Sequence, residues 1–261
     1  MIDKRIIMKV FLVLLATINI CQADGCTKNS CTQSQEKVQA CPVEQILKQL
    51  EERTRGLTSY QSRIEYLFSQ PLFDSKTLKK GDLYYEKSGE KSKLRINFKT
   101  LKQDDEKEQK YQEEYIFDGM WLTQIIYEIK QANRYRLAEP NEPVDAFDLA
   151  AKNFPIIGFN KVEDLKKQFE IKLIEQKENK PSQFIKLHLK VKPDSDYKDD
   201  YTSFEFWIDK KLYLPAKIVA VSTEEDVSQV TLLKAQVNKK LKKEIFDFAV
   251  PKGFAVSENH K

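Results

Sequence analysis

The chain reads as a mainly β protein with a few helices (α+β). The expected form is a curled antiparallel sheet of about 10–11 strands, a half-open barrel covered on its concave face by three helices. Three observations predict it. From about residue 59 onward, apolar side chains recur with period 2 in run after run. Short polar turns separate the runs, so consecutive strands pair antiparallel. Three other stretches show helical spacing instead, and so many amphipathic strands in one twisted sheet must curl, close or be covered.

The first 23 residues differ from the rest. Lys4, Arg5 and Lys9 precede the apolar run Val10 to Ile18, and Cys21-Gln22-Ala23 follows with small residues where a signal peptidase reads. This is the pattern of a secretory signal peptide cut after Ala23, and it places the mature chain in the periplasm. Met8-Lys9 directly before the apolar core is the tighter signal, so Met1 and Met8 both stand as starts. No later stretch approaches the ~18 apolar residues of a membrane-spanning helix.

Residues 24–41 form a polar leader with Cys26, Cys31 and Cys41. An oxidising compartment permits one disulfide among these three, in any of the pairings, and leaves one thiol over. Their spacing fits no common zinc site, so no metal is expected. The domain proper spans residues 42–257. Pro42 opens a helix in which Val43, Ile46, Leu47 and Leu50 share a face, and Gly56 ends it. Tyr60, Ile64, Tyr66 and Phe68 then fall on one face of a long strand, with Gln61, Arg63 and Glu65 on the other. Gly81-Asp82-Leu83-Tyr84-Tyr85 begins the next. Leu94, Ile96 and Phe98 alternate with Lys93, Arg95 and Asn97. A charged loop from Gln103 leads to Glu113–Phe117, the turn signal Asp118-Gly119, and strands over 121–129 and 133–137.

Prolines 140, 143 and 155 interrupt the pattern around a short helix, Val144–Lys152. Asn160 with Glu163 reads as a capping box for another helix, with Val162, Leu165 and Phe169 on its apolar face. Strands resume over 169–175, 183–192, 203–209, 214–221 and 227–237. In Phe204–Ile218 two of them meet across a tight polar turn, with Pro215 opening the second. Phe204 and Phe206 are expected on the concave side, Trp207 and Asp209 on the other.

Composition narrows the function. Removing residues 1–23 takes three of the 44 basic and one of the 40 acidic residues, leaving a charge of +2. Nothing there drives binding to nucleic acid. Aromatics share faces with Leu and Ile while lysines take the opposite faces, which is the pattern of a core, not of a base-stacking platform. There are two histidines: His188 lies in phase with Lys186 and Lys190, and His260 lies next to the C-terminus. No nucleophile elbow, phosphate loop or His-Glu-x-x-His motif is present, so no catalytic residues and no cofactor are expected.

The helix, the Asp118-Gly119-Met120-Trp121 turn, the proline-rich insert, Trp207-Ile208-Asp209, Leu214-Pro215, Phe246-Asp247-Phe248 and Pro251-Lys252-Gly253-Phe254 follow one another in an order that resembles the LolA/LolB-like periplasmic lipoprotein carrier family. The resemblance is strongest to its divergent, planctomycete-type members and covers about residues 42–257. It implies a half-open barrel with a helical lid, no enzyme activity, and a monomeric carrier of lipoprotein acyl chains or other lipid. An inner-membrane transporter and an outer-membrane acceptor are the partners it implies. The alternative on the same fold is an envelope interaction or stress-sensing module that binds a protein partner. The expected cavity lining is Tyr60, Ile64, Tyr66, Leu83, Tyr85, Leu94, Ile96, Phe98, Phe117, Trp121 and Phe206, with Phe147, Leu149 and Phe154 from the insert. Where family members have an Arg-Pro step whose Arg latches the lid, this chain has Lys87 and no Pro. Lys87 and Arg95 are therefore the latch candidates, and a lysine lacks arginine's planar fork.

Overall fold

The computed structural model describes residues 42–89, 91–138, 146, 162–174 and 182–259. Helix α1 (Pro42–Arg55) leads into β1 (Ser59–Gln70). A short 3-10 turn, Pro71–Phe73, joins β1 to β2 (Ser75–Ser88). Strands β3 (Lys91–Gln103), β4 (Gln109–Phe117), β5 (Trp121–Ile126) and β6 (Gln131–Arg136) follow. Helix α2 (Val162–Gln168) runs directly into β7 (Phe169–Ile174). The chain continues through β8 (Phe184–Val191), β9 (Tyr201–Asp209), β10 (Pro215–Ser222), β11 (Val227–Val237) and β12 (Ala255–Asn259).

All twelve strands among the described residues belong to one unclosed sheet, in the order β12-β6-β5-β4-β3-β2-β1-β11-β10-β9-β8-β7. Two antiparallel meanders, β1–β6 and β7–β11, are joined by the pairing of β1 with β11. The sheet carries one strand more than the sequence suggests: β12 pairs parallel with β6. Its residues follow the chain's closing turn and have no hairpin partner in sequence, so no local signal marks them.

Burial separates the two faces. The inner face carries the main core, to which Leu47 and Leu50 of α1 and Leu165 of α2 belong together with residues of β1–β5 and β7–β11. Strands far apart in the sheet order share this cluster because the sheet curls around the helices. The outer face carries a smaller cluster, Ile116, Ile125 and Ala132, covered by Phe248, Val250 and Phe254 of the C-terminal segment. The Val144–Lys152 helix and the Asn160 cap lie outside the described residues. Ala146 is described: it is buried in the main core and donates its N–H to Ser92 Oγ at 2.5 Å.

The turn residues named by the sequence act as hydrogen-bond caps. Asp118 Oδ1 accepts the N–H groups of Met120 and Trp121 at 2.9 and 2.8 Å, and Gly119 takes φ 103°. Asp209 Oδ1 accepts those of Lys211 and Leu212 at 2.8 and 2.9 Å, and Pro215 begins β10, where its missing donor is tolerated. The Trp-Ile-Asp and Leu-Pro block is thus a strand end, a carboxylate-capped turn and a strand start.

Gly81 sits where the β2–β3 register shifts. A Cβ there would lie 1.9 Å from the Asn97 carbonyl oxygen and 2.7 Å from its carbon. Backbone cannot swing aside as a side chain can. Gly81→Ala is expected to cost at least about 2 kcal/mol, a fall in Tm of about 4–8 °C, measurable by circular dichroism melts.

Candidate functional site

The inner face is the surface to which most of the sequence-predicted lining residues converge. Tyr60, Ile64, Leu83, Tyr85, Leu94, Phe98, Phe117 and Phe206 are all buried in its cluster, and Tyr66 and Ile96 pack against it half-buried. The register explains why: Tyr60 pairs with Tyr85, Tyr85 with Leu94 and Leu94 with Phe117, and directly paired residues share a face. Phe147, Leu149 and Phe154 lie outside the described residues, as do Cys26, Cys31 and Cys41.

Trp121 is placed differently. Phe117 pairs with Leu122, so Leu122 continues the inner face and Trp121 turns outward, where the Arg134 guanidinium stacks 4.6 Å from its ring. Alternation carried straight through the turn would put Trp121 on the face of Phe117, but the three-residue turn 118–120 pairs Phe117 with Leu122 instead.

Arg95 is also an outer-face residue. Its Nη2 donates to Glu114 at 2.7 Å, its Nε to Asn97 at 2.9 Å, and its Nη1 to the carbonyls of Ile245 and Asp247 at 2.7 and 3.1 Å. It fastens the C-terminal segment to the back of the sheet, the opposite side from the helices, and so is no lid latch. Lys87 lies in phase with Leu83 and Tyr85, exposed at the end of β2. The contact that does join the two helices is Lys166 to Glu44, 2.7 Å and about half exposed. Such a pair contributes about 0–1 kcal/mol, so apolar contact holds the helices down.

Sequence reasoning missed much of the second meander's share of the site. Leu187 and Leu189 of β8 and Ile218 of β10 are as buried as the first half's residues. The clean alternation of 184–190 was the signal for the first two. Tyr201 carried no such signal: a register shift near Thr202 turns it inward, against Phe204 at a ring distance of 4.8 Å.

Three buried hydroxyls in this apolar region, those of Tyr60, Ser62 and Tyr201, make no hydrogen bond among the described residues. Burial pushes the Tyr60 phenol up to about 12, and the neighbouring Ser62 hydroxyl pulls it the other way. The Tyr201 phenol is pushed up too, chiefly by burial and then by Tyr66, Asp200 and Tyr197. A buried polar group left unpaired costs about 1–3 kcal/mol.

Towards the β1–β2 turn the inner face becomes polar. Glu113 is 1% exposed and accepts from four groups: Lys79 Nζ at 2.5 Å, Tyr115 OH at 2.5 Å, Gln124 Nε2 at 2.8 Å and Tyr111 OH at 3.0 Å. Burial alone would raise its pKa. Lys79 and the donated hydrogen bonds outweigh that and hold the carboxyl below its usual range. Both oxygens are filled and the pKa is held low, whereas a general base needs an open lone pair and a pKa raised toward the working pH. Among the described residues no group of three or more His, Cys, Asp or Glu is placed to hold a metal ion. No helix among them is long and apolar enough to cross a membrane.

The fold and inner face define a class: an unclosed, curled sheet with helices against an apolar face, as the LolA-like resemblance implies. No family model matches the chain. No curated protein matches it either. Solved structures similar to it include an uncharacterized conserved protein from Thermus thermophilus, with TM-score 0.49, 12% identity and coverage of 83% of this chain and 99% of that one. A LolA superfamily protein from Nitrosomonas europaea has TM-score 0.36, 14% identity and coverage of 80% and 99%. The MucA/MucB complex of Pseudomonas aeruginosa has TM-score 0.45, 12% identity and coverage of 80% and 62%, so this chain spans less than two thirds of that one.

Two outcomes follow from the buried polar groups. Tyr201→Phe removes an unpaired hydroxyl and is expected to stabilise the protein by about 1 kcal/mol, raising Tm by about 2–4 °C in calorimetry. For Glu113 the folded pKa is depressed, so its contribution is full above the unfolded value near 4.5 and is lost as pH falls through the folded value. Glu113→Gln should lower stability at pH 7 by about 3–5 kcal/mol and flatten the acid limb of Tm against pH.

Proposed function

We propose that this chain is a non-enzymatic periplasmic carrier or binder of lipoprotein acyl chains or other lipid, received between the helices and the inner face. An inner-membrane transporter and an outer-membrane acceptor would supply and take the cargo. One observation carries the reading: strands and both described helices share a continuous apolar inner face that contains unpaired buried hydroxyls. An acyl chain entering there gains about 0.8 kcal/mol per CH₂ buried, and the hydroxyls of Tyr60 and Tyr201 could donate to an ester or amide carbonyl near its head. The helices must lift for entry, since the side chains beneath them pack against one another. Lys87, exposed at the end of β2, remains the candidate latch on the inner face.

The second reading is an envelope interaction or stress-sensing module that binds a protein partner. The observation favouring it is the tight packing of the same inner face: Leu187, Phe206 and Ile208 are fully buried by the protein's own atoms.

The deciding experiment adds an environment-sensitive fluorescent fatty acid to delipidated protein. Under the carrier reading its emission rises and shifts to the blue, unlabelled palmitate displaces it, and Tyr60→Phe with Tyr201→Phe weakens binding while stabilising the empty protein. Absence of any retained fatty acid, by fluorescence and by native mass spectrometry of protein from envelope extracts, would sink it in favour of the partner-binding module.

A further inference from the structure

Three turns stand side by side at one end of the sheet, because β10-β11, β1-β2 and β3-β4 are neighbouring hairpins in the strand order. The middle one is Pro71–Phe73, with Leu72 and Phe73 each 73% exposed. Its neighbours are tied to it. Asp104 of the β3–β4 turn accepts the Lys76 N–H on Oδ1 at 2.6 Å and donates its own N–H to the Lys76 carbonyl at 2.8 Å. On the other side Gln70 Nε2 donates to Asp226 of the β10–β11 turn at 3.3 Å.

The two flanking turns, 104–108 and 223–226, carry seven carboxylates and one lysine. Among the described residues Glu108 is the one of these carboxylates in an ion pair, with Lys80 at 2.6 Å. Two adjacent large apolar side chains therefore project from the middle of an acidic rim. An exposed apolar pair within a polar border has the make-up of a binding hot spot. The border sets what can approach: negative charge on both sides attracts a cationic surface and repels an anionic bilayer.

We propose that the Leu72–Phe73 tip and its acidic flanks dock a cationic amphipathic polypeptide segment, apolar residues against the tip and Lys or Arg against the flanking turns. The surface lies at the hairpin end, away from α1, which enters β1 at the opposite end. It therefore stands whether or not the inner face takes lipid.

The probe is a short dye-labelled peptide alternating Leu with Lys, followed by fluorescence anisotropy. Its counterpart with Glu for Lys and vesicles containing anionic phosphatidylglycerol are run beside it. The Lys peptide is expected to bind, more weakly as salt rises. Leu72→Ser with Phe73→Ser, and separately Glu224→Lys with Glu225→Lys, should each weaken it about tenfold. Glu52→Lys with Glu244→Lys, the same change of charge elsewhere, should leave it within about twofold. Fatty-acid uptake measured on the tip variants should not change, which separates this result from the lipid test. Equal binding by the Ser variant, equal binding of the Glu peptide, equal loss in the Glu52/Glu244 control, or tip-dependent capture by the vesicles would each overturn the proposal. The tip side chains face water, and unchanged melts of the variants establish that folding is intact.

Discussion

The pairing of β1 with β11 is the constraint on which the rest of the molecule depends. It runs from Tyr60 opposite Val237 to Ser69 opposite Val227, and it joins two meanders that are otherwise separate in the sheet. Without it each half would present a long unpaired strand to solvent, an invitation to wrong pairing. The contacts span about 160–180 positions in sequence. Closing so long a loop costs little more than closing a medium one, because the entropy grows only with the logarithm of length. Asn238 pins the start of the seam. Its side chain accepts the Thr58 N–H at 2.9 Å and donates to the Gly56 carbonyl at 3.0 Å, while its own N–H reaches the Ser59 carbonyl at 2.8 Å. The end of α1, the start of β1 and the end of β11 are fixed together at that one residue. The positive φ of Asn238 suits a residue type that tolerates the left-handed region.

That seam makes one inner face out of two. Ile64 faces Leu232 across it, and Tyr66 faces Val230. The apolar surface of β2–β4 then continues into that of β8–β10, and α1 descends onto it from directly beside the seam. The outer face is secured by other means. Arg95 and Glu114, with the carbonyls of Ile245 and Asp247, hold the C-terminal segment against Ile116 and Ile125. Lys186 and Lys217 flank the Trp207 ring at 4.9 and 5.0 Å. Polar and cationic groups thus stabilise the back of the sheet while the front remains apolar.

What the sequence made legible was local. Alternation marked strands, and carboxylate-capped turns marked the hairpins at Asp118 and Asp209. The inner-face lining in the first meander followed from period 2 alone. What it hid was set by register and by distance. A turn of three residues sets Trp121 outward, and a shift near Thr202 sets Tyr201 inward, although neither change alters hydrophobic content. The β1–β11 seam has no local signature, and neither has the parallel β12. Glu113 and Glu114 carry no local signal of burial. They point to opposite faces, and each finds its cation on another strand, Lys79 two strands away on β2 and Arg95 on the adjacent β3.

The polar network around Glu113 bears on what the inner face can accommodate. Gln124 donates to Glu113 and accepts from Asn133 at 3.1 Å, and Asn133 accepts from Gln131 at 2.9 Å. A satisfied network of this kind is costly to disturb, because removing one member strands the others. It therefore bounds the apolar region on the side of the β1–β2 turn. An acyl chain laid on the inner face would gain by lying over Ile64, Leu83, Leu94 and the residues of β8–β10, and would lose by displacing Lys79 or Gln124. The unpaired hydroxyls of Tyr60 and Tyr201 fall within the apolar part, not within the network. Under the lipid reading proposed above, a single-headed lipid could reach them without displacing a member of the network.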